Sequence, residues 1–208
     1  MSAALPLLIE PAELHDRLGD PALMIVDLRD PEHYAQNHLP GALSLGYGRI
    51  VRANPPVGGL LPTLEQLSAV LSALGLTPAK HVVAYDGEGG GRAARLLWTL
   101  DAIGHAHFGL LNGGIVAWTA EGRPLTPAPE SANASDYRAR IANPAVIADK
   151  DYILAHLGRS DFVALDVRSP EEYGYRCARR ARRPYSGCAE SELAGSHRPR
   201  PGIALQAR

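Results

Sequence analysis

Residues 23–34 read LMIVDLRDPEHY, and residues 162–173 read FVALDVRSPEEY. Each begins with an apolar run, passes through Asp-x-Arg and ends in Pro-Glu-x-Tyr. A run without polar alternation suits a strand covered on both faces, as in a parallel sheet. The likeness extends outward. A slide of 139 residues lays Glu10–Tyr34 on Asp149–Tyr173 without a gap, with identities at Leu18/Leu157, Gly19/Gly158, Asp27/Asp166, Arg29/Arg168, Pro31/Pro170, Glu32/Glu171 and Tyr34/Tyr173. That period is too long for a solenoid and fits a duplicated whole domain.

Around the first copy, strands and helices alternate. Glu10–Gly19 reads as a short helix with Pro11 in its first turn and Gly19 at its end. Leu23–Val26 is the first strand and Leu43–Leu45 a second, after the turn at Pro40-Gly41. Residues 52–62, with Pro55, Pro56, Gly58, Gly59 and Pro62, are expected to be a loop. Thr63 caps a helix carrying Leu64, Leu67, Val70, Leu71 and Leu74 on one face. A strand at His81–Tyr85, a helix over Arg92–Ile103, a strand at Phe108–Leu111 and a helix opened by Gly113-Gly114 and running through Trp118 complete the pattern. This order predicts an α/β fold with a mostly parallel central sheet flanked by helices, plus an incomplete second copy. The expected organisation is a domain at 5–125, a Pro/Ala/Ser/Asn-rich linker at 126–145, the start of a second repeat at 146–173 and a basic tail at 174–208.

The tail differs in composition from the body. It holds eight arginines, no lysine, and only Glu190 and Glu192, whereas residues 1–173 hold 13 basic and 20 acidic residues. Where the first copy continues into HLPGA at 38–42, the same offset meets Cys177-Ala178-Arg179-Arg180-Ala181. A shift of reading frame near codon 174 accounts for both changes, and such a composition is expected to be disordered. The tail lacks aromatic interleaving or a motif, so nucleic acid is not an expected partner. The second fragment is expected to be unable to bury its apolar face by itself.

The whole chain, 46% hydrophobic and 21% charged, has the composition of a globular protein. No apolar run reaches the ~18 residues of a membrane span. Met1–Glu10 lacks a basic segment and is broken by Pro6, so no secretory signal is expected. Two cysteines, Cys177 and Cys188, are too few for a disulfide scaffold, and a cytoplasmic location is the expectation. No His or Cys pair has metal-ligand spacing, so neither metal nor other cofactor is expected. Trp98 and Trp118 fall on apolar helix faces, and His105 and His107 alternate near a strand edge.

The segment Asp86-Gly87-Glu88-Gly89-Gly90-Gly91-Arg92 joins a strand to a helix. It matches neither a Walker A loop nor G-x-G-x-x-G. It is open to three readings: a tight turn in which Asp86 caps the helix, a weak anion pocket, or, from Asp86-x-Glu88, a phosphatase-type aspartate. Asp27 and Arg29, like Asp166 and Arg168, sit at a strand end, where they either line a site or pin the following loop. His38, before Pro-Gly, reads as a turn histidine bonded to backbone.

These residues together resemble the rhodanese family of sulfurtransferases. The resemblance rests on DLRDPEHY at 27–34, HLPGA at 38–42, VVAYDGEGGGRAARLLWTL at 82–100 and LLNGGIVAWTAEGRPL at 110–125. The duplication is similar to the two-domain thiosulfate and 3-mercaptopyruvate sulfurtransferases. The resemblance implies transfer of sulfane sulfur from thiosulfate or 3-mercaptopyruvate, through a cysteine persulfide, to a thiophilic acceptor such as cyanide. It also implies that loop 86–92 holds the active-site position of a non-catalytic N-terminal domain, with Asp86 where a catalytic domain has cysteine. The 139-residue offset carries the equivalent second loop past residue 208. Cys177 aligns with His38 and Cys188 with nothing recognisable, so each reads as a tail thiol. The expectation is an inactive family member. The alternative is a binding or regulatory module for a small anion, such as thiosulfate or sulfate, or for a protein partner.

Overall fold

The computed structural model describes residues 5–170. The chain divides after Ile147 into two compact units. Glu171, Tyr173, Cys177, Cys188 and the basic tail lie outside the described residues.

The first unit is built on a five-stranded sheet in the order β1-β7-β6-β2-β3, every neighbouring pair parallel. The strands are β1 (Leu8–Ile9), β2 (Leu23–Asp27), β3 (Ala42–Ser44), β6 (His81–Tyr85) and β7 (Phe108–Leu111). β2 and β6 are central, and their side chains divide between two cores. Met24, Val26, Val82 and Ala84 point to the face covered by α3 (Leu64–Ala73) and α4 (Gly91–Ala102). Ile25, Val83 and Tyr85 point to the other face, with Leu14 from α1 (Pro11–His15) and Ile115 and Trp118 from α5 (Gly114–Ala120). The uninterrupted apolar run of β2 is thus explained, because both faces are dry.

Local sequence sets the helix starts. Pro11 opens α1, and Pro31 opens α2 (Pro31–Gln36), which the sequence reading had not assigned. Thr63 accepts from Gln66 N while the Gln66 side chain accepts from Thr63 N, a full capping box. The first helix is shorter than the expected Glu10–Gly19: α1 covers five residues, and turns carry the chain to Gly19 at φ 82°.

Two expectations are corrected. Residues 52–62 are not simply a loop, because β4 (Arg52–Asn54) and β5 (Val57–Leu60) pair antiparallel, with a cis Pro55-Pro56 peptide at the turn. Pro55 and Pro56 occupy the reversal, while Gly58 and Gly59 lie within β5 itself, Gly59 at φ 71°. The segment expected to be a linker is pinned to the first unit along its length. Thr126 pairs with His38 through both backbone bonds, Ser135 N donates to Ser72 O, Ala139 N to Ser68 Oγ, and Ala142 N and Asn143 N to Ala102 O. Small polar residues suited to a linker also strap well onto a helix surface.

In the second unit, α6 (Lys150–His156) is capped by Asp149, whose carboxylate accepts from Tyr152 N at 2.7 Å. Gly158 repeats the left-handed geometry of Gly19, at φ 87°. The strand expected at Leu165 does not form; residues 162–167 lie outside any ladder. Among the described residues, no helix is long and apolar enough to cross a membrane.

Burial gives the first unit a specific pH response. The imidazoles of His81 and His105 are both held below their ordinary value of 6.5, chiefly by desolvation. The unfolded chain takes up protons that these folded groups resist, so stability is intact above pH 6.5 and falls as pH drops below it. Thermal melts should therefore show Tm descending between pH 7 and pH 5.5, with the descent shallower in His81→Asn/His105→Gln than in the parent.

Candidate functional site

The carboxyl ends of β2 and β6 meet at the mouth of the first unit, where each delivers a buried carboxylate. Asp27, fully buried, ends β2. It accepts from Arg29 N at 2.8 Å, from the Arg29 guanidinium at 2.7–3.1 Å and from the Tyr85 hydroxyl at 2.7 Å. Burial and the neighbouring Asp27 charge push the Tyr85 phenol far above its ordinary range, so it stays a donor to Asp27. Tyr85 Oη also accepts from Leu39 N at 3.2 Å, and Arg29 donates to Asn37 O. Burial opposes the Arg29 charge, but the bonds to Asp27 outweigh it and hold its pKa above the ordinary value. The Asp27–Arg29–Tyr85 group thus holds the 37–39 turn while Arg29 also borders a cleft.

His38 is fully buried in that turn. Its Nδ1 lies 2.8 Å from Tyr34 O and its Nε2 2.9 Å from Ala128 O, with the ring stacked on Tyr34. It packs as part of the strap, away from the cleft.

Asp86 follows β6 and is 1% exposed. One carboxylate oxygen accepts from Glu88 N at 2.9 Å and Gly90 N at 2.8 Å; the other accepts from Arg92 N at 2.9 Å and Ala93 N at 3.0 Å. Four amides converge on one anion at the start of α4, a backbone nest reinforced by the helix dipole. Gly89 and Gly90, at φ 86° and 94°, allow the chain to curl around it. Asp86 O accepts from Ile115 N, so the same residue anchors the start of α5. A Cβ on Gly114 would stand 2.2 Å from Asp86 O, which is why only glycine fits there.

A cleft of about 240 Å³ opens over this loop, lined by Arg29, Asp30, His33, Asp86, Gly87, Glu88, Arg92, Ile115 and Val116. Arg92 spans it, donating to Asp30 at 2.9 Å and Glu88 at 3.1 Å. The Asp30 bond, and then the charges of Asp30, Glu88 and Asp86, hold the Arg92 pKa up. Gly91 is exposed and opens α4. Among the described residues, no cluster of three metal-ligating side chains is present.

The sequence reading had placed loop 86–92 and Arg29 without their partners. Asp30 and His33 come from the start of α2 and Ile115 and Val116 from α5, two segments that only the fold brings to the loop. Tyr85 ends the strand His81–Tyr85, but its partnership with Asp27 depends on the β2–β6 register and is not legible in the sequence. Asp166 and Arg168 are not brought to this site. They form their own pair in the second unit, with Arg168 N donating to Asp166 at 3.1 Å and Nε at 2.8 Å, and those bonds lower the Asp166 pKa to about 2.

The amide-lined loop lies where open parallel α/β sheets place their sites, at the carboxyl ends of the strands. The rhodanese-like domain model matches residues 10–121, and the chain belongs to that family. It is 44% identical over 174 residues to a thiosulfate sulfurtransferase of Azotobacter vinelandii, covering 82% of this chain and 63% of the relative. It is 41% identical over 179 residues to one of Pseudomonas aeruginosa, covering 81% and 62%. The chain therefore spans less than two thirds of the length of either relative. The crystal structure of a 3-mercaptopyruvate sulfurtransferase from Escherichia coli superposes with a TM-score of 0.73 at 21% identity, covering 80% of this chain and 67% of that one, a likeness of fold.

Two substitutions test the construction of the site. Tyr85→Phe leaves Leu39 N and one Asp27 oxygen short of a buried partner and should lower stability by ~1–3 kcal/mol in urea titration. Gly114→Ala should lower Tm well below that of Gly48→Ala, where an added Cβ meets open space.

Proposed function

We propose that the first unit of this chain is a non-catalytic domain of the thiosulfate/3-mercaptopyruvate sulfurtransferase group, with the nucleophile's place taken by Asp86. The family reaction moves a sulfane sulfur. A thiolate attacks the outer sulfur of thiosulfate, a persulfide forms, sulfite leaves, and the persulfide then passes its sulfur to cyanide or a thiol. Such a step needs a thiolate, and converging N–H groups both lower a thiol's pKa and hold the transferred anionic sulfur. The single observation that carries the proposal is the Asp86 carboxylate accepting all four of those N–H groups. A carboxylate forms no persulfide, and its fixed charge repels a second anion from the same amides.

The second unit is read as the opening of another repeat of the same domain. Support comes from the capped α6, the left-handed Gly158 and the Asp166–Arg168 pair, each at the 139-residue offset from its counterpart. A binding or regulatory module for an anion or protein partner is the second reading, favoured by the cleft and its apolar wall of Ile115 and Val116. Arg92, the cleft's spanning cation, is already bonded to Asp30 and Glu88, which weighs against a small anion.

The assay is cyanolysis with thiosulfate or 3-mercaptopyruvate as donor. The parent chain should give no turnover above a Cys177→Ser/Cys188→Ser control. Introducing Asp86→Cys into that control should create a thiol that iodoacetamide labels below pH 7, because four amides favour its thiolate. Turnover by the doubly substituted control would overturn the proposal. For the second reading, a saturable thermal shift with sulfate that Arg92→Ala abolishes is the expected sign.

A further inference from the structure

One cation of the first unit is half-buried without a counter-charge. Arg95 lies in the middle of α4, and its Nε and Nη2 are both buried with no hydrogen-bond partner. Buried side-chain donors are as a rule bonded, so two of them on one guanidinium require an explanation. Burial pushes the Arg95 pKa below its ordinary value, opposed by Tyr47 and, among the described residues, by no carboxylate. Arg92, one turn earlier, is by contrast bonded to both Asp30 and Glu88.

The surroundings of Arg95 are aromatic. Its guanidinium stands 4.6 Å from the centroid of the Trp98 ring, one turn later. Trp98 is itself fixed by its Nε1, which donates to Val146 O at 2.8 Å. Tyr47 opens the 3-10 turn Tyr47–Ile50, which packs against α4, and carries the Arg92 guanidinium over its ring at 5.9 Å. Tyr47, Arg95 and Trp98 are each half-buried, so all three reach the surface. Arg, Tyr and Trp together are the composition of a protein-binding hot spot. The cleft over loop 86–92 is bordered by Arg92 and not by Arg95.

The donor geometry selects the partner. Nε and Nη2 form the edge of a guanidinium that a carboxylate bridges with two parallel bonds. Arg92 is already paired, so the patch offers a single charge, which one carboxylate balances and a phosphate dianion exceeds. The edge is closed to water in the free chain. Swinging it outward gives up no hydrogen bond at either nitrogen, and a carboxylate supplies both that are missing.

We propose that Tyr47, Arg95 and Trp98 form a docking surface for an acidic segment of a protein partner, with Arg95 bridging one Asp or Glu carboxylate. The proposal is independent of what Asp86 does in the cleft, and its readout is peptide binding rather than sulfur transfer.

The probe is acetylated, amidated hexaglutamate, titrated into the isotope-labelled full Cys177→Ser/Cys188→Ser chain. The Trp98 indole and Arg95 Nε–H resonances should shift together and saturate, with the Arg95 proton exchanging more slowly with water as its bond forms. Arg95→Met should abolish the Trp98 shift and leave Tm no lower than the parent's, because it removes two unbonded buried donors. Arg95→Lys keeps the charge without the fork and should weaken binding at least tenfold. The exposed Arg140→Met removes the same charge elsewhere and should change affinity less than twofold. Absence of a saturable shift overturns the proposal, as does binding indifferent to both Arg95 substitutions or equally weakened by Arg140→Met. Preference for a phosphorylated peptide or an oligonucleotide over hexaglutamate also overturns it. So does an Arg95 Nε–H already slow to exchange without peptide and unmoved by it, since a bound water then holds the edge.

Discussion

Two carboxylates set at the ends of neighbouring strands and withdrawn from water are the constraint on which the rest of the first unit depends. An isolated buried carboxylate is costly, so each must be surrounded by donors. Asp86 takes its donors from the backbone, and that requirement shapes the loop. Residues 87–91 must turn their amides inward, two glycines must adopt left-handed geometry, and α4 must begin where Arg92 N and Ala93 N can reach the same oxygen. Asp27 takes its donors from side chains, and through Arg29 and Tyr85 it fixes the 37–39 turn. The two carboxylates together hold both walls of the cleft.

The same geometry that makes a cradle for an anion also decides what this chain can do with it. A nest of amides is chemically indifferent to whether its occupant is a thiolate, a transferred sulfur or a carboxylate. Here the occupant is covalently attached and permanent. The loop keeps its curl around that carboxylate, down to the glycine that admits α5 beside Asp86 O.

The two units show how environment separates nearly identical sequences. Asp27–Arg29 and Asp166–Arg168 form the same local ion pair, each with backbone and guanidinium bonds across two residues. The first is sealed by Tyr85 and the neighbouring strands; the second stays exposed. A strand is a property of a sheet, since its backbone bonds come from elsewhere in the chain. Residues 162–167 have the right residues for β2 but pair with no strand among the described residues, while the helix before them forms. Helical bonds are local, and α6 needs only its own cap and turns.

The sequence by itself determined the alternation of strands and helices, the parallel sheet implied by the runs at Leu23–Val26 and His81–Tyr85, and the family. Those features are written in local periodicity, in glycine and proline positions and in residues adjacent along the chain. It also placed Asp86 in a strand-to-helix turn. Only the tertiary structure decided that four amides close on that carboxylate, that Tyr85 seals Asp27 from the neighbouring strand, that residues 52–60 pair as a hairpin and that the presumed linker is bound to Ser68, Ser72 and Ala102. Each of those is a bond between segments far apart in sequence or a curl of backbone with several permitted conformations, and the selection among them is made by packing rather than by the residues' own preferences.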